Sequence, residues 1–113
     1  MQDNEDDAVL LRRQRQFLHE IEQSIRESNR EIIHGLIPEL TKASFVEFAL
    51  VVARLRASYL EAAIALSRGG QEAAEGAGVT AALRQHRAAY EEAREAFDAL
   101  QRAIERGYVD IGH

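Results

Sequence analysis

The 113-residue sequence predicts an all-α protein, an antiparallel bundle of three long helices with coiled-coil-like packing that self-associates. Three observations predict it. Apolar residues recur by sevens in three separate segments. There is a single Pro. The composition is dominated by Ala, Glu, Arg and Leu, which suit long helices. With 46% hydrophobic and 29% charged residues the chain reads as one globular domain over 1–113.

The first helix is expected over 7–34, opening on acidic residues that favour the positive end of the helix dipole. Leu11, Leu18, Ile25 and Ile32 form one file spaced by sevens. The second file is partly polar, with Ile21 alongside Gln14, Ser28 and Gly35. Gly35, Leu36, Ile37 and Pro38 then break the pattern, because Gly weakens a helix and Pro lacks an amide donor. A turn is expected there.

The second helix is expected over 45–68. Ser44 and Glu47 have the spacing of a capping box at its start, and Arg68, Gly69 and Gly70 supply the stop. This helix carries two seams. One holds Phe45, Phe48, Val52, Leu55, Tyr59, Ala62 and Leu66; the other holds Val46, Leu50, Ala53, Ala57, Leu60 and Ile64. Its polar face is mainly one file, Glu47, Arg54, Glu61 and Arg68. Two seams imply two neighbours, so this helix is read as central and buried on two sides. A linker is expected over 69–79.

The third helix, over 80–106, stops at Gly107. It repeats the heptad theme with Leu83, Tyr90, Phe97 and Ile104 in one file and His86, Ala93 and Leu100 in the other. Residues 107–113 form a short tail that either packs back or frays.

Composition narrows the function. The net charge of -5 disfavours a phosphate backbone, so no nucleic-acid partner is expected. Without Cys there is no disulfide, thiolate nucleophile or thiolate zinc site, and a cytoplasmic setting is the expectation. The first seven residues are rich in acidic side chains (Asp3, Glu5, Asp6 and Asp7), unlike an export signal. The apolar stretch 45–66 contains Glu47, Arg54, Arg56 and Glu61, which argues against a membrane span and for a buried helix.

Two functional readings remain. The first is a non-enzymatic interaction or oligomerisation module: an adaptor, scaffold or accessory subunit whose partner is a second copy of itself, as homodimer or higher oligomer, or another protein. Its interface residues would be Leu10, Phe17, Ile33, Leu36, Ile37, Val46, Leu50, Leu60 and Ile64, all apolar beyond what one seam per helix requires. No cofactor is needed. The alternative is a ferritin-like metal-binding bundle built on the E-x-x-H of Glu31 and His34, with Glu47 or Glu61 as further carboxylate and iron or manganese as the ion. Against it, the heptad files turn Ile32 inward and Glu31 and His34 outward. No Ser, His and acid fall at a spacing that forms a nucleophile with its base, and no Gly-rich turn is placed to cradle phosphate, so no catalytic residue is assigned.

Overall fold

The computed structural model describes residues 2–70 and 75–112, and the expected linker residues 71–74 lie outside them. The chain is all-α with a small strand pair. In order it forms α1 (Gln2–Leu36), β1 (Leu40–Thr41), α2 (Lys42–Arg68), α3 (Ala77–Glu105) and β2 (Ile111–Gly112).

Helices α2 and α3 form an antiparallel hairpin. Phe45 meets Phe97 at a ring separation of 4.9 Å, and Phe48 stacks on Phe97 at 5.7 Å. Further along, Tyr59 stacks on Tyr90 at 6.2 Å, so positions rise on α2 as they fall on α3. Phe97 is thus wedged between two residues three apart on α2, which share one face. The Tyr90 hydroxyl accepts a hydrogen bond from Arg56 Nε at 3.1 Å, which keeps its polar end satisfied at the surface. Only Val52 and Val109 are buried hydrophobic residues among those described.

The caps explain where the elements begin and end. Thr41, not Ser44, caps α2: its extended backbone lets Oγ1 accept from the Ser44 amide at 3.1 Å. The expected Ser44 and Glu47 capping box is displaced, because Ser44 already lies in the first turn. At the end of α3, the Tyr108 amide donates to the Ala103 carbonyl at 2.8 Å and the Gly107 amide to the Ile104 carbonyl at 3.0 Å. This paired closure needs a left-handed residue after the cap, and Gly107 at φ 75° supplies it. The turn sends the tail back along the molecule. It does not fray: Leu40 pairs with Ile111 and Thr41 with Gly112 in a parallel ladder. The Glu39 side chain lies over Gly112, so a Cβ at position 112 would require that exposed, flexible side chain to swing aside.

Helix α1 does not join the hairpin as a third bundle member. Its described side chains are exposed apart from half-buried Asn29 and Ile33. At 1.5 Å per residue α1 is about 52 Å long and the hairpin roughly 40 Å. The longest molecular extent is 77 Å and the next 41 Å, more than either element alone and less than both end to end. The chain is therefore L-shaped. Its radius of gyration of 23.7 Å compares with about 13 Å for a compact chain of this length. The expectation that α2 is buried on two sides is corrected accordingly: α3 covers one seam and the other is open. His86, expected on a core file, is likewise exposed, beside Ala62 and Leu66 toward the C-terminal end of α2.

Two stability measurements check these assignments. Thr41→Ala should lower the unfolding free energy by about 1 kcal/mol in urea titration, more than Ser44→Ala does; the reverse order would return the cap to Ser44. Phe97→Ala, removing the wedge of the hairpin, should cost about 2 kcal/mol in the same titration.

Candidate functional site

The site is built from two features: a polar joint that fixes how α1 leaves the hairpin, and the apolar surfaces this leaves open. The joint forms where α1 ends. The Ile37 amide still reaches the Ile33 carbonyl at 2.6 Å, after which Pro38 stops the helix. The chain crosses to β1, where the Leu40 amide donates to the Asp110 carbonyl at 2.9 Å. The Asp110 side chain then grips α1. One carboxylate oxygen takes Arg30 Nη2 at 2.6 Å and the other lies 3.1 Å from His34 Nδ1. Arg30 and His34 are one turn apart and therefore stand on the same face, so one carboxylate spans both.

This joint sets the rotation of α1. Arg30 and His34 each lie two residues from Ile32, which places them about 160° around the helix from it. When they face the tail, the apolar stripe faces away. Exposure follows that geometry: Ile32 is 65% exposed and Leu36 81%, although both lie beside the joint. Leu10, Leu11, Phe17, Leu18, Ile21 and Ile25 continue the open stripe toward the N-terminus. Of the predicted interface residues, Ile33 alone on α1 is half-buried at the joint. Ile37 is partly open beside it, and Val46, Leu50, Leu60 and Ile64 are exposed along the second seam of α2.

The metal-ligating candidates are not brought together within one chain. His34 engages Asp110, and among the described residues no three of His, Cys, Asp and Glu form a group able to hold a metal ion. Glu31, Glu47 and Glu61 are all exposed. Sequence reasoning missed the role of Asp110. The only signal was its place after Gly107 in a tail rich in Tyr, Val and Ile, and such a tail has no period that reveals its partner.

Between the strand pair and the base of the hairpin lies an open groove of about 710 Å³, with Leu40, Phe45, Ile104 and Ile111 on its walls and Lys42 and Glu105 among its lining. On the hairpin surface Arg87 Nε donates to Glu91 at 3.0 Å, and this hydrogen bond and charge raise the Arg87 pKa, keeping the guanidinium charged. No helix among the described residues is long and apolar enough to cross a membrane. No family model, curated protein or solved structure matches the chain.

The joint makes a direct prediction. Asp110→Ala should speed hydrogen exchange of the Leu40 amide and its strand neighbours while leaving α2 and α3 amides protected. The accompanying loss of stability should stay at or below about 1 kcal/mol for each of the two side-chain contacts, because both are partly solvated. Unchanged protection at Leu40 would mean that the side-chain grip does not hold the tail.

Proposed function

We propose that this chain is a non-enzymatic helical module whose task is self-association, serving as a scaffold, adaptor or accessory subunit in the cytoplasm. The observation that carries the reading is the unburied apolar stripe of α1 together with the second seam of α2. Amphipathic helices gain most of their stability by burying such a stripe, and an isolated one exposed along its whole length lacks that contribution.

Surface area supports the same reading. A compact folded monomer of 12.7 kDa exposes about 6,200 Å². This chain exposes 9198 Å². The surplus, roughly 3,000 Å², exceeds the ~800 Å² per partner that a standard stable interface takes up. Exposed apolar stripes such as those of α1 and of the second seam of α2 mark interaction surfaces in soluble proteins. The acidic balance of the chain argues for protein as the partner and against nucleic acid.

Sedimentation equilibrium at tens of micromolar should give a mass that is a multiple of 12.7 kDa. Leu50→Glu and Leu60→Glu together should weaken that association or raise the amount of protein needed for it, since each places a charge in the open seam of α2. A wild-type monomer under these conditions would remove the proposal.

A further inference from the structure

We propose that the open seam of α2 is the site of a two-fold interface, in which α2 of a second copy lies antiparallel across it with the symmetry axis at the level of Leu55, midway between Ala53 and Ala57. The inference rests on the self-association reading above and adds the partner surface, the direction and the register.

A two-fold interface must be self-complementary: where residue i meets residue j of the partner, j must meet i. The seam satisfies that condition along its length. Val46, Leu50, Ala53, Ala57, Leu60 and Ile64 follow steps of four and three, the spacing of coiled-coil core positions. Reversed about Leu55, the order of sizes is the same. Val46 falls opposite the partner's Ile64, Leu50 opposite the partner's Leu60, and Ala53 opposite the partner's Ala57. Ala43 and the partner's Ser67 close the ends with small residues. Large residues thus meet large and small meet small, and the central Ala layers let the two helices approach to the short end of the usual 8–10 Å interaxial range.

The packing within one chain leaves this seam available. Helix α3 lies to one side of it, where Ala49 and Ala63 are half-buried. Val46, Leu50, Leu60 and Ile64 remain exposed. The flank away from α3 carries the file Glu47, Arg54, Glu61 and Arg68, every member exposed and without an ion-pair partner among the described residues.

Charge complementarity selects the same register. Side chains lean toward the N-terminus of their own helix, so on antiparallel helices two flanking residues converge only when each lies on the N-terminal side of the other. With the axis at Leu55, Arg54 and the partner's Glu61 are offset by about 7.5 Å along the axis and lean toward each other. Glu47 and the partner's Arg68 do the same. Arg54 and the partner's Arg54 lean apart. The alternating signs of the file therefore form four symmetric opposite-charge pairs. Within a single helix, residues seven apart are two turns away from each other and form none. A parallel arrangement in register would instead set Val46, Leu50 and their equivalents beside their own copies and would leave the reversal of sizes about Leu55 without a role.

The test uses the full chain and two kinds of variant. Arg54→Glu and Glu61→Arg should each raise the dissociation constant about tenfold, since each converts two attractive contacts into repulsive ones. The double variant, R54E with E61R, should return to within about threefold of wild type, as expected for coupled charges. Because the chain has no Cys, new thiols report geometry without background. An oxidised mixture of Ala53→Cys and Ala57→Cys protein should give a cross-linked species containing one of each. Ala53→Cys alone should not cross-link, because its two copies are displaced by about 6 Å along the axis beyond the lateral spacing of a disulfide. An oligomeric wild type without charge rescue, or without the mixed cross-link, would overturn this register and leave self-association standing. Cross-linking of Ala53→Cys to itself would indicate parallel helices, and cross-linking of Ala57→Cys to Leu18→Cys would indicate that α1 covers the seam; either overturns the interface. A monomeric wild type would overturn both proposals.

Discussion

Phe97, seated between Phe45 and Phe48, decides which way α2 faces, and much of the remaining surface follows from that contact. A helix can turn only one stripe of about 100° toward a single neighbour. Once the aromatic stripe of α2 is committed to α3, with Tyr59 on Tyr90 extending the match, the Val46 to Ile64 seam is directed outward. The hairpin is thus a complete unit on one side and an unfinished one on the other.

The joint at Asp110 does for α1 what Phe97 does for α2. Its ion pair with Arg30 and its contact with His34 are partly solvated, so their energetic contribution is small, but their placement is decisive for orientation. Arg30 and His34 can reach the tail only if the opposite face of α1, carrying Ile32 and Leu18, turns away from the hairpin. Gly107 is the other requirement. It reverses the chain after α3 and delivers Val109 to a buried position and Asp110 to the end of α1. The C-terminus, the bend after α1 and the start of α2 therefore form one connected corner, and the two arms leave from it.

The corner and the hairpin organise the chain, while the open stripes contribute no burial within it. Their apolar character is a cost in solubility unless something covers them. That imbalance fits a helical module that gains its final stability from a second copy, and the size-reversed, charge-alternating seam of α2 is the surface best matched to one.

The amino-acid sequence by itself determined the helices, because heptad files, caps and the Gly and Pro punctuation act over a few residues. Leu11 to Ile32, Phe45 to Leu66 and Leu83 to Ile104 were legible as apolar files from spacing alone, and Gly107 as the stop of the last helix. The presence of two seams on α2 was equally legible. Which of them stays within the chain was not, since periodicity reports that a face is apolar but not what covers it. Tertiary structure alone decided that α3 takes the aromatic seam, that α1 stands apart, and that Asp110 crosses eighty positions of sequence to reach Arg30. Those choices depend on contacts between residues distant in the chain, made through an ion pair and a two-residue strand too short to leave a period of their own.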